Sequence, residues 1–438
     1  MFFSRYMLGN FIMRRIRTEF FGRYGVVILL AILICGSAPL WPNIAAATTN
    51  PVRGDYSCQA LRAMARVYMA CGDYTKAQPL AERALDFAKK AGASDSELCL
   101  CLIDLGYLYK NQGKLADAEK MCEQGLKLQE KVCNKDHPYV AYTLRVLGST
   151  YQDQAKYRRA QLVLDRALAI MKHNYMKDDP IIAPFQVDIA KLLVAQGNYA
   201  QAESCYLEAL ELINKSYGPD HLYTAGVLAG VARLYALQGR YFEADVLINR
   251  ALVMQEQIYG PEHHLLAPTW LTMTIICRAK SDYAQADKLL NKALAAVQAK
   301  RGTDHPLAGK VLSMLAALYI SQAKYEEAEQ ACTQAVKVLE SSLGPDNDCT
   351  AMAFNNLASL YVQQSRYSEA QELCTRALKT LEHIFDRNHP SVADVLETLA
   401  DLHKRVGNVA KATELEQRVE KIRSRTQIIY EPIAKTIE

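Results

Sequence analysis

Five histidines share one register in this chain of 438 residues: His137, His221, His263, His305 and His389, each preceded by an acidic residue or asparagine. Three of them continue into Pro138, Pro306 and Pro390. Imidazole beside carboxylate is the material of metal sites and acid–base pairs, and twelve cysteines add thiol chemistry to the inventory. Spacing decides against a metal. The histidines recur every 42 or 84 residues, so successive copies lie on neighbouring or next-neighbouring packed elements, on the order of 10 Å apart, whereas ligands must converge within a few ångström. The register instead fits a helix start, where Asp or His caps free amides and Pro fits the first turn. Cys99-x-Cys101 is too close for a zinc pair on one helix face. Cys133 and His173 fall outside the register and stand alone. The chain has no phosphate-cradling glycine loop, Gly-x-Ser-x-Gly or His-Glu-x-x-His. A non-catalytic chain without cofactor or metal is expected.

The elements behind this spacing are repeats. A motif of the form G-x-Y-x-x-A recurs nine times, anchored at Tyr74, Leu115, Tyr157, Tyr199, Tyr241, Tyr283, Tyr325, Tyr367 and Val409. The first interval is 41 residues and the next seven are 42; a period of this size means a stacked array. Three residues beyond each anchor stands an alanine, from Ala77 and Ala118 to Ala412, and six before it a large residue such as Tyr68, Tyr109 or Tyr151. Apolar spacing on both sides is helical, as in Leu312, Leu315, Ala316 and Tyr319, then Ala328, Cys332, Ala335 and Val336. Each repeat therefore reads as two antiparallel helices joined by a short turn such as Gln238-Gly239-Arg240. Pro184 and Pro268 share a register inside the first helices of repeats four and six and should kink those helices or delay their start.

Large, Leu, small, Tyr on the first helix and Ala, apolar, Ala on the second resembles the tetratricopeptide repeat. The eight residues beyond the usual 34 lie in links such as Gly218-Pro219-Asp220-His221 and Arg387-Asn388-His389-Pro390. This longer form, with Asn355-Asn356-Leu357-Ala358 followed by Gln364-Ser365-Arg366-Tyr367, is similar to the repeats of kinesin light chains and their prokaryotic relatives. The likeness runs from about Asp55 to Arg425, without the heptad segment that would join a motor subunit. The expected fold is all-α, a right-handed α-solenoid of nine tandem helix-turn-helix repeats over residues 55–425, with a loose tail at 426–438.

Such an array binds extended partners on its concave face. The resemblance places the inward positions two and six residues before the first-helix Tyr. Arg62, Arg66, Arg145, Lys191 and Arg233 fall there in repeats one to five, Leu271 and Ile275 in repeat six, and Asn355 in repeat eight, followed by acidic residues. The expected function is a protein–protein interaction scaffold whose groove holds an extended, partly acidic peptide or partner protein. Asn355 would bond the peptide backbone, as the matching family asparagines do. The alternatives are a self-associating structural array and the sensing part of a membrane-anchored envelope complex; oligomeric state is open at this level.

Half the residues are hydrophobic and the net charge is only +4, so no strongly basic nucleic-acid footprint is present. The first 47 residues differ in kind. Arg5, Arg14, Arg15, Arg17 and Arg23 precede an apolar run from Tyr24 to Trp41 and then Ala45-Ala46-Ala47, the order of an export signal; an uncleaved membrane anchor is the rival. Residues 48–54 read as a short linker. Either way the repeats are expected outside the cytoplasm, periplasmic or extracellular, and membrane contact would come only through this segment. Cys58 and Cys99 stand where other repeats have Ala141, Ala183 or Ala225, and Cys122, Cys332 and Cys374 share the register of Leu164 and Leu290. These read as small hydrophobes inside helix packing.

Overall fold

The computed structural model describes residues 57–426. The readings made for the export segment, the linker and the tail beyond Thr426 lie outside them. The described residues form nine helix pairs and no strand: α1 (Cys58–Ala70) with α2 (Tyr74–Lys90), α3 (Asp95–Asn111) with α4 (Leu115–Val132), α5 (Pro138–Asp153) with α6 (Tyr157–Asn174), α7 (Ala183–Ala195) with α8 (Tyr199–Tyr217), α9 (Leu222–Leu237) with α10 (Tyr241–Tyr259), α11 (Ala267–Ala279) with α12 (Tyr283–Arg301), α13 (Pro306–Ser321) with α14 (Tyr325–Leu343), α15 (Asp348–Gln363) with α16 (Tyr367–Ile384), and α17 (Pro390–Arg405) with α18 (Val409–Thr426). Every anchor of the sequence motif is the first residue of a second helix.

Local chemistry explains the boundaries. The histidines are caps: His137, His221, His263, His305 and His389 each accept, through Nδ1, a hydrogen bond from the backbone N–H two residues on. Asn347 and Asp179 do the same with side-chain oxygens. Between the helices of each pair one residue takes the left-handed conformation, such as Gly113 at φ 78° or Ala155 at φ 58°. Pro184 and Pro268 delay their helices rather than kink them: a 3₁₀ turn fills Pro180–Ile182 and His264–Leu266, and the α-helices begin one turn late with proline in the first turn.

Packing follows the small residues. All nine motif alanines, Ala77, Ala118, Ala160, Ala202, Ala244, Ala286, Ala328, Ala370 and Ala412, are fully buried, which lets the two helices of a pair approach closely. The core is a string of clusters along the array; one joins Tyr157, Tyr206 and Tyr235, and a second joins Trp270, Leu290 and Leu315. No helix among the described residues is long and apolar enough to cross a membrane.

The superhelix also touches itself. The turn of one repeat meets the helix start of the repeat five places on, four times over. His305 Nε2 lies 3.1 Å from Asn111 O and His389 Nε2 2.9 Å from Ala195 O. Asn347 Nδ2 donates to Asp153 O at 3.1 Å, and His264 packs over the turn at Gly72, where a Cβ would fall 2.1 Å from its Cε1. Pro306 and Pro390 fill the space over Gly113 and Gly197, where a Cβ would fall 2.5 and 2.9 Å from the proline Cδ. The Tyr157 hydroxyl donates to Asp348 at 2.9 Å while its ring stacks on Phe385 at 5.0 Å. This seam closes one superhelical turn onto the next.

Candidate interaction groove

Side chains on the inward register of the first helices do not stand alone. On α1, Arg62 is buried, and its Nε donates to Asp104 Oδ2 at 2.8 Å; Arg66 takes the other oxygen of the same carboxylate, also at 2.8 Å. Asp104 sits on α3 and is itself buried. The arrangement recurs two repeats later. Arg145 on α5 meets Asp188 Oδ2 of α7 at 2.8 Å, with its guanidinium over the Phe185 ring, and Lys191 holds the other oxygen at 3.2 Å. These cations are therefore already ion-paired, although one carboxylate shared by two cations leaves each set with a net positive charge. Lys191–Asp188 lies within α7; the arginine pairs cross from one repeat to the next and lock neighbouring first helices in register.

Arg233 on α9 differs. It is exposed, and no carboxylate lies within ion-pair distance of it among the described residues. Lys310 of α13 lies within its electrostatic reach. In repeat six, Leu271 and Ile275 are half-buried, packed on opposite core clusters with part of their surface left to solvent. Asn355 on α15 is buried, and its Oδ1 has no hydrogen-bond partner among the described residues. Its neighbour Asn356 bonds the Ser313 carbonyl and hydroxyl at 3.0 and 2.9 Å. Toward the end of the array the acids are paired as well, Glu397 with Arg423, Asp401 with Arg405 and Glu416 with Lys404. Burial pushes the Asp394 carboxyl up to about 6, and Glu397, Asp401 and Glu416 line an open cleft of about 650 Å³ between α17 and α18.

Asp104 and Asp188 were missed by sequence reasoning, although a signal was there: both stand five residues before the first-helix large residue, each one repeat after a cation, and those two cations, Arg62 and Arg145, share one register. The residues of the internal seam were missed too. The cysteines lie where the register put them. Cys122, Cys332 and Cys374 are buried, and burial pushes each thiol up to about 12, so they are protonated at neutral pH. No group of His, Cys, Asp or Glu that could hold a metal occurs among the described residues.

Family comparison matches the tetratricopeptide repeat at residues 100–173, 182–252, 224–299, 270–341, 307–382 and 349–425, and a second form of the repeat at 60–92. The chain belongs to the tetratricopeptide repeat family. Its repeats keep the 42-residue period on which the sequence resembles the kinesin-light-chain type. Among solved structures, this tetratricopeptide repeat protein is similar to a Rap protein complexed with competence and sporulation factor, at 13% identity and TM-score 0.61, over 84% of this chain and 98% of that one. It also matches BtubC from P. vanneervenii at 18% identity and TM-score 0.39, over 56% and 95% of the two chains. A kinesin light chain of Podospora anserina with nearly identical repeats matches at 22% and TM-score 0.36, over 48% and 99%. At these identities the likeness concerns the fold. A search of curated proteins finds no match.

Proposed function

We propose that this protein is a non-catalytic scaffold that holds an extended, partly acidic peptide segment in its concave groove, outside the cytoplasm. A nine-repeat tetratricopeptide array is an interaction platform. The observation that carries the finer reading is Arg233: an exposed cation at the middle of the inward register, without a carboxylate partner among the described residues, one repeat before the apolar Leu271 and Ile275. An acidic side chain of the ligand would pair with Arg233 and an apolar one would rest on Leu271 and Ile275. Asn355, whose oxygen has no partner among the described residues, would turn to the ligand backbone. Lys191 and Arg145 would contribute field more than direct bonds, because Asp188 already holds them. The Rap protein of matching fold, solved with competence and sporulation factor, supports the use of such a groove by analogy. Export is proposed from the basic, apolar and small-residue order of residues 1–47 alone.

The test is fluorescence anisotropy of the full chain against labelled extended peptides that differ only in acidic, neutral or basic residues flanking an apolar core. Acidic peptides should bind best and weaken as salt rises. Arg233→Glu should cut their affinity about tenfold or more, and Leu271→Asp should weaken all three sets. Equal affinity for the three peptide sets, or an Arg233→Glu chain that binds as well as the parent, removes the groove assignment.

A further inference from the structure

The anchor at the start of each second helix has two different environments. In repeats one to four Tyr74, Leu115, Tyr157 and Tyr199 are no more than 8% exposed. The next superhelical turn covers them: Tyr74 by His264 and Arg301, Tyr157 by Asp348 and Phe385. In repeats five to nine the same register holds Tyr241, Tyr283, Tyr325, Tyr367 and Val409, and no later turn of the chain lies over them among the described residues. Tyr241 and Tyr325 are each 37% exposed and Val409 65%. The turn glycines follow suit. The space over Gly72, Gly113 and Gly197 is filled by His264, Pro306 and Pro390, whereas nothing lies within 4 Å of a Cβ built on Gly239 or Gly407.

The complementary half of the seam is also uncovered, at the other end of the molecule. The helix starts of repeats three and five carry His137 and His221, with Nδ1 spent on their own helix and no acceptor on Nε2 among the described residues. In the covered repeats that nitrogen bonds a turn carbonyl. Beside them stand the exposed aromatics Tyr139, Tyr217 and Tyr223. The chain thus displays both halves of an interface that it already forms four times internally.

We propose that the turn edge of repeats five to nine is closed by the helix-start edge of a second copy of this chain, in the geometry of the internal seam. Extending the five-repeat relation brings His137 of the second copy to the Ser321 carbonyl and His221 to that of Arg405. Tyr217 comes to Tyr367, as Phe385 comes to Tyr157 within the chain. The first helix of the second copy then lies across the open cleft beside α18. The two surfaces differ, so the contact is head-to-tail, and the pair keeps one free edge of each kind, one on each copy, to extend the assembly. This inference is independent of the groove's occupant.

Sedimentation velocity of the full chain tests it, in a non-ionic detergent that keeps residues 24–41 from associating on their own. The mass of the parent should rise with concentration. Tyr367→Glu spoils one edge and Tyr217→Glu the other; each alone should raise the association midpoint at least about tenfold, since a buried aromatic at such a contact contributes that much or more. An equimolar mixture of the two variants should recover a one-to-one complex and nothing larger, because one intact pair of edges remains. A parent that stays monomeric to about 100 µM overturns the proposal. So does association that survives both substitutions, which would assign the contact to another surface or to the tail, and so does a mixture that fails to pair.

Discussion

His305 and Asn111 are 194 residues apart and joined by one hydrogen bond of 3.1 Å, from the imidazole Nε2 to the backbone carbonyl. The same ring accepts the Leu307 N–H at Nδ1. Its tautomer is thereby fixed: Nδ1 bears the lone pair and Nε2 the proton. One neutral side chain both caps a helix and closes a superhelical turn, and His389 repeats the arrangement with Ser391 and Ala195.

Acid should loosen this closure. Burial pushes His305 down to about 4 and His264 to about 3, and it also lowers His263 and His389. An unfolded imidazole takes its proton near 6.5. Below that pH the unfolded chain binds protons that the folded chain refuses, so stability is fully present above about 6.5 and falls as pH drops toward 4. Asp394, raised to about 6 by burial, acts in the opposite sense over part of that window, so a matched variant is required. Asn347 already caps with Oδ1 and donates with Nδ2 in the same register. A His305→Asn, His389→Asn chain should therefore keep the seam and lose about 2–4 °C less in Tm between pH 7.5 and 5 than the parent. Identical pH profiles would exclude these histidines as the titrating groups.

The seam should be visible in a pair of glycine substitutions. Gly113 and Gly407 have nearly the same backbone, at φ 78° and 81°, so Gly→Ala at either site carries a left-handed cost of about 1 kcal/mol. Only at Gly113 does the new methyl meet a neighbour, 2.5 Å from Pro306 Cδ. Gly113→Ala should cost about 1–3 kcal/mol more than Gly407→Ala, read from denaturant midpoints. Equal losses would mean that the superhelical turns do not touch in solution.

Asp104 should matter more for folding than for binding. It is buried and pairs with both the buried Arg62 and the half-exposed Arg66. Asp104→Ala leaves Arg62 with its nearest counter-charge removed and should cost about 3–5 kcal/mol, while Arg66→Ala should cost at most about 1. Adding Arg62→Met to Asp104→Ala should restore much of the loss. Thermal melts of the three variants decide it; an Asp104→Ala chain as stable as Arg66→Ala would contradict the pairing.

How much of this was legible beforehand depends on the range of each interaction. The Tyr anchors, the buried alanines and the capping histidines act within one helix pair and its neighbour, so a period of 42 displays them. Pro184 and Pro268 were readable as disturbances, and the helices resolved the choice by starting late. The shared register of Arg62, Arg145 and Arg233 on the first helices was readable as well. What they face was not: the reading took the cations as ligand contacts, and Asp104 and Asp188 meet four of the five.

The sequence by itself determined the unit of the structure, because helix spacing, small residues at crossings and capping are local and repeat in phase. The tertiary structure alone decided how the units add up. A superhelix closes on itself only if small rotations between successive repeats, summed over five of them, bring a turn against a distant helix start, and no single repeat encodes that sum. His305 is a cap in the sequence and a cap plus a clasp in the fold, and the difference is the pitch.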